Sequence, residues 1–275
     1  MAALGWDAGG RTAVAVPLRG RATAVIVMAT FIGFVSFFWP FLVAPNHFGT
    51  TYTPLLMFGV LLCLVLAVLF AEVASGNIDA KAIAMLGVLS AIGAALRPLD
   101  AGTAGIEFIF FTIVLAGRVF GPGFGFALGV TTLFGSALIT AGVGPWMPYQ
   151  MFGCAWIGLF AGCLPRCRGK VEILMLATYG AAAGYLYGFL SNLSFWPFSL
   201  DPGSSIAYAP GASVATQWHH YLVFDATTSL GWDTGRAITN FVAICVVGPA
   251  ALRTFRRAAR KAAFSAPVEF SSTSA

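Results

Sequence analysis

The chain has 275 residues, of which 59% are hydrophobic and only 9% charged, with a mean hydropathy of +0.86. That balance excludes an ordinary soluble domain and predicts an integral membrane protein. The net charge of +5 is no nucleic-acid signature, because the basic residues either flank apolar runs or gather at Arg253, Arg256, Arg257, Arg260 and Lys261. Such placement is orientation signal beside a lipid bilayer, helped by anionic lipid.

Residues 1–21 are small, mixed and too polar to span. The run from Ala22 to Val43 resembles a signal anchor, but it is longer than a secretory core segment. Pro45 also follows directly after Ala44, the one plausible cleavage residue, so the run is expected to stay as a helix. Further apolar runs lie at Thr53 to Phe70, Ile78 to Leu96, Ala104 to Val119, Phe124 to Ala141, Tyr149 to Leu164, Val171 to Leu190 and Ala237 to Leu252. They lack the alternation of a membrane barrel, so the predicted fold is all-α with eight transmembrane spans.

Charge placement supports that count. With both termini cytoplasmic, Arg11, Arg19, Arg21, Lys81, Arg118, Arg166, Arg168, Lys170 and the five C-terminal cations fall inside, and of the 15 Lys and Arg only Arg97 and Arg236 fall outside. A seven-span chain without the Ala104 to Val119 run would put Arg166, Arg168 and Lys170 outside, against the positive-inside rule. The organisation expected is a cytoplasmic segment at 1–21, two transmembrane helices at 22–73, a six-helix core at 78–252 and a basic cytoplasmic tail at 253–275.

Arg97 and Arg236 share the outer layer with Asp100, Glu107, Asp201, Asp225 and Asp233. Two readings stand: Arg97 pins a loop through Asp100 or Glu107, or these groups line an outward-facing pocket. The stretch between Leu190 and Arg236 is the longest without a span, rich in Pro, Gly, Ser and Trp. A loop of that length in a compact protein is usually functional. It carries Asn192, Trp196, Trp218 and Trp232, with Asn240 shortly beyond. The short outer loop GVGPWMPYQ holds Trp146, Tyr149 and Gln150, which are interfacial anchors or a stacking wall for a flat ligand.

No metal site is expected. Cys163 and Cys167 are spaced to share a helix face but have no further ligand nearby, and adjacent His219 and His220 read as loop residues without a third partner. Glycines at 117, 121, 125 and 129, at 158 and 162, and at 180, 184 and 188 predict close helix packing, with Pro122 at a helix start rather than in a phosphate loop. No nucleotide-binding GxxxxGK[ST] occurs, so the chain is not its own ATPase. No His lies in a predicted span, and Asp100 and Glu107 are separated by Gly102 and Gly105. Intramembrane proteolysis and paired-carboxylate catalysis are therefore not expected, and no catalytic residue is assigned.

The stretch from Lys81 to Glu107 combines an apolar helix bearing Gly87, Ala91 and Ala95 with an exit at Arg97-Pro98-Leu99. Small residues every fourth position let another helix approach closely in a membrane. Together with Gly121, Pro122, Gly125 and Gly129, and with six spans beginning and ending inside, this region resembles the substrate-binding S component of an energy-coupling factor (ECF) vitamin transporter. The segment from Gly102 through SALITAGVGPWMPYQ to Pro165 is similar to actinobacterial members in particular. The two N-terminal spans depart from the usual pattern.

The resemblance implies a cell-membrane binder without enzymatic activity or cofactor. It would capture a vitamin from outside and work with a transmembrane scaffold subunit and two cytoplasmic ATPase subunits. It places scaffold docking on Ala91 and Ala95, with Gly87 one step earlier, and ligand-closing loops at 97–107, 142–150 and 192–236. Topology and chemistry then assign substrate binding to Arg97, Asp100, Glu107, Trp146, Gln150, Asn192, Trp196, Trp218, Arg236 and Asn240. Cobalamin or a related corrinoid is the first ligand expected, with riboflavin, thiamine and biotin open. The alternatives are an accessory or structural membrane subunit that binds nothing and, ranked below it, an intramembrane enzyme.

Overall fold

A computed structural model describes residues 21–42, 53–74, 80–100, 105–201 and 203–262. Their regular structure is helical: α1 (Arg21–Phe37), α2 (Trp39–Leu42), α3 (Thr53–Ala74), α4 (Ala80–Asp100), α5 (Ile109–Phe120), α6 (Pro122–Ile139), α7 (Met147–Cys163), α8 (Gly169–Phe195), a 3₁₀ turn (Trp196–Phe198), α9 (Val214–Thr228), α10 (Leu230–Val246) and α11 (Gly248–Ala262). Among the described residues three segments are long and apolar enough to cross a membrane, Ala80–Pro98, Pro122–Ile139 and Gly169–Phe198. A fourth is gained if α10 and α11, bent by 65°, form one span. An eight-span topology therefore requires shorter helices to span as well. The 12-residue α5 is about half the length that crosses a bilayer unaided, and most of it is buried among its neighbours.

Two expected boundaries move. The stretch after Leu190 is largely helical, because Ser213 caps α9 by accepting a hydrogen bond from the Thr216 backbone N–H at 3.2 Å, and Gln217, Tyr221 and Phe224 then bury one face of that helix. His219 and His220 lie on α9 rather than in a loop. At the C-terminus, α10 begins ahead of Ala237, and helix continues past Leu252 through the basic α11, into the segment read as a tail. Cys163 closes α7 while Cys167 lies beyond it, so the two do not share a helix face.

Glycine sets how closely the core helices approach. Gly121 separates α5 from α6 with φ +99°, a conformation other residues avoid, and Pro122 starts α6. A Cβ on Gly117 or Gly125 would strike the backbone carbonyl of Gly158, and one on Gly129 would strike that of Cys154. Helices α5, α6 and α7 thus meet backbone to backbone. Along α8, Gly180, Gly184 and Gly188 receive Ile244, Ala237 and Asp233 of α10.

The bundle has two unlike ends. At one, Glu172 accepts from Arg118 Nε at 2.8 Å and from Arg256 Nη2 at 2.7 Å, while Arg118 Nη1 donates to the Leu164 carbonyl at 2.9 Å. Lys81 Nζ donates to the Ala262 carbonyl at 2.9 Å, and Arg166, Arg168, Lys170, Arg253, Arg257, Arg260 and Lys261 are exposed there. Ion pairing ties α5, α8 and α11 together at this basic end. The opposite end holds Arg97 and Arg236 and the candidate site.

Candidate functional site

Arg97 sits in the last turn of α4, where the chain leaves the helix at the cation-poor end. Its guanidinium donates to Ser136 Oγ on α6 at 2.9 Å and to Gln150 Oε1 on α7 at 3.1 Å. With its oxygen engaged, Gln150 retains its amide N–H groups as donors. Gln150 lines a cavity of about 390 Å³ with Trp146, Tyr149, Ser191, Asn192, Ser194 and Phe195. A second lobe of about 170 Å³ shares Trp146, Tyr149, Ser194 and Phe195 and is completed by Trp39, Met57, Pro145 and Phe198. Aromatic walls with a few amide and hydroxyl groups are the makeup of a small-molecule site.

A covering layer lies over this end. Asn192 Nδ2 donates to Asp225 Oδ1 of α9 at 2.6 Å, and Gln217 clamps residue 209 through both its backbone groups. Trp196 Nε1 donates to the Ile206 carbonyl at 2.9 Å, and the Tyr221 hydroxyl donates to the Phe189 carbonyl. Tyr208 reaches across to the Pro40 carbonyl at 3.2 Å. The segment between α8 and α9 is thereby fastened to the bundle and to α2.

Glu107 does not pair with Arg97. Its carboxylate accepts from Arg236 Nε at 2.6 Å, and Arg236 Nη1 also bonds Asp233 Oδ1 at 2.5 Å. The guanidinium lies over the Tyr187 ring at 5.2 Å and the Phe110 ring at 5.9 Å, an arrangement that favours a desolvated cation. Asn240 Nδ2 donates to the Glu107 carbonyl at 3.0 Å. This network fixes Glu107, just ahead of α5, onto α10. Gly188 makes room for it, since a Cβ there would collide with the Asp233 carboxylate.

Of the residues expected in the site, Trp146, Gln150 and Asn192 line the main cavity, and Arg97 orients one of them. Glu107, Arg236 and Asn240 come together in the neighbouring ionic cluster. Trp196 is fully buried, and Trp218 stacks on Phe41 at 4.4 Å, so both belong to the aromatic packing of the cover itself. The Asp100 side chain lies outside the described residues, as do Arg11 and Arg19 of the N-terminal segment. Ser191, Ser194, Phe195 and Phe198 were not singled out from sequence. Their position where α8 runs into a 3₁₀ turn is the reason they reach the cavity.

Gly87, Ala91 and Ala95 are exposed along one face of α4, flanked by exposed Ile83, Val88 and Ile92. The opposite face is committed to α6: Ser90 and Thr131 share a hydrogen bond of 2.6 Å, and Leu89 and Ala94 are buried. Among the described residues no group of three His, Cys, Asp or Glu side chains is placed to hold a metal.

The family model for the ECF transporter, substrate-specific component, matches residues 81–247. Neither a curated protein nor a solved structure matches the chain. The match runs from the first residues of α4 to the junction of α10 and α11, and so takes in the exposed small-residue face, the glycine-packed core and most of the cavity wall. Membership implies a multi-pass membrane subunit that handles a small-molecule substrate alongside scaffold and ATPase partners. The chain belongs to the family of substrate-specific components of ECF transporters.

Proposed function

We propose that this chain captures a vitamin-class molecule in the cavity at its cation-poor end and hands it to a transmembrane scaffold driven by two ATPase subunits. The observation that carries the reading is the Arg97 to Gln150 hydrogen bond behind an aromatic cavity, at the end of the bundle opposite its basic residues. The positive-inside rule puts the basic end in the cytoplasm, which makes the cavity outward-facing in the cell membrane. In this reading both termini are cytoplasmic and eight spans cross the bilayer.

Docking is assigned to the exposed Gly87, Ala91 and Ala95 face of α4, which suits close approach of a partner helix. Ligand contact is assigned first to Trp146, Gln150 and Asn192. Arg97 acts through Gln150, while the Glu107, Arg236 and Asn240 cluster, with Asp100, Trp196 and Trp218, frames the site. A cavity near 390 Å³ falls in the usual range for small-molecule sites. That size supports a compact vitamin such as riboflavin, thiamine or biotin. Cobalamin or a related corrinoid, the first ligand expected from the resemblance, is larger and requires the cover between α8 and α9 to open. Uptake of each labelled vitamin into cells carrying this chain with its scaffold and ATPase pair tests the reading. Accumulation of one vitamin supports it, and accumulation of none favours an accessory subunit.

A further inference from the structure

We propose that the helices ahead of the family region complete the binding site, with Trp39 and Met57 facing the bound molecule and the Trp39 indole N–H donating to an acceptor on it. The inference rests on the reading of the outer cavity as the capture site. The family match begins at residue 81, yet α1 and α3 are built into the core. Gly33 of α1 lies against Phe152 and Trp156 of α7, and Trp156 Nε1 donates to Thr30 Oγ1 at 3.3 Å. Phe37 meets the Tyr149 ring edge-on at 5.0 Å. These contacts hold α1 against α7, and Met57 of α3 meets the Tyr149 hydroxyl beside the cavity.

Two donors at the smaller lobe lack good acceptors. Trp39 is 7% exposed, and its Nε1 has no hydrogen-bond partner among the described residues. A buried donor left unpaired is costly, and such groups are rare in folded proteins. Tyr149 is 6% exposed and its hydroxyl donates to Met57 Sδ at 3.4 Å, but a thioether is a weak acceptor. Both side chains line the same lobe, and among the described residues its walls carry no ionisable acid or base other than the Tyr149 phenol.

The chemistry that fits is a neutral, flat ring with a carbonyl oxygen or ring nitrogen on its edge. Trp39, stacked on Phe198 at 5.8 Å, and Tyr149 would supply the two N–H and O–H donors. The main lobe, with Gln150, Asn192 and Ser191, would take the polar remainder of the same molecule. The N-terminal helices thereby set which ring is accepted, while the family core sets how its polar end is held.

The test uses the full-length purified protein titrated with cyanocobalamin, riboflavin, thiamine and biotin. Trp39→Phe keeps the stacking ring and removes the N–H; Tyr149→Phe removes the hydroxyl. Each is expected to weaken binding of the vitamin that wild type accepts by about three- to tenfold, with the melting temperature retained. Phe41→Leu, in the same aromatic layer but off the cavity wall, is expected to leave affinity unchanged. Wild-type affinity in Trp39→Phe would overturn this inference, whatever Tyr149→Phe does, while leaving the capture reading intact. If wild type binds none of the four and carries no small molecule through purification, both fall together.

Discussion

Arg97 and Gln150, 53 positions apart, share a hydrogen bond of 3.1 Å that joins the exit of α4 to the start of α7 at the cavity wall. The same guanidinium bonds Ser136, so three core helices converge on one cation. Removing it frees the Gln150 amide to turn. Arg97→Ala and Gln150→Ala are each expected to weaken vitamin binding by about tenfold, an effect of roughly 1.4 kcal/mol. The double variant should lose little more than either single one, because the two act as a unit. Calorimetric titration reads this directly, and additive losses would show that they act separately.

Backbone contact between α6 and α7 predicts a sharp difference among the glycines. Gly158→Ala pushes a methyl into the Gly125 backbone and should destabilise the protein by at least about 2 kcal/mol, as overpacking does. Gly87→Ala meets nothing within 4 Å and should leave stability unchanged or raised, since alanine favours helix. Thermal unfolding in detergent compares the two. Equal melting temperatures would contradict the close packing.

The basic end depends on one carboxylate. Glu172 has a side-chain exposure of 3% and faces Arg118, itself 8% exposed, together with Arg256. Glu172→Gln leaves the buried Arg118 without its counter-charge, a change expected to cost about 3 kcal/mol. Ligand affinity, read at the other end of the bundle, should stay within twofold in preparations that remain folded. A selective loss of binding with stability intact would mean that the two ends communicate.

Capture and delivery are assigned to different surfaces, so they are separable by mutation. Ala91→Arg places a long cation on the exposed face of α4, opposite the side packed on α6. Vitamin uptake in cells should be abolished while the purified variant binds ligand as wild type does. Loss of both together would argue against separate faces.

Much of this architecture was legible in the sequence because apolar runs and fourfold glycine spacing report bilayer burial and close approach directly. The Gly117, Gly125 and Gly158 contact follows from that spacing. Partner choice among polar groups was less legible. Of the two loop partners read for Arg97, Glu107 pairs instead with Arg236 across 129 positions, and the Asp100 side chain lies outside the described residues. Helix α9 was hidden because its WHHYLVFDATT run is too polar to span and follows a stretch rich in Pro, Gly and Ser. Trp39 and Met57 escaped notice as cavity residues because the family resemblance begins after them; only the packing of α1 on α7 brings them to the site.

The most direct test of the account is mass spectrometry of small molecules released from the detergent-purified protein, followed by titration with the vitamin panel. The account predicts a vitamin-class molecule bound one to one, displaced or weakened by Gln150→Ala. A protein that carries no such molecule and binds no member of the panel would contradict it.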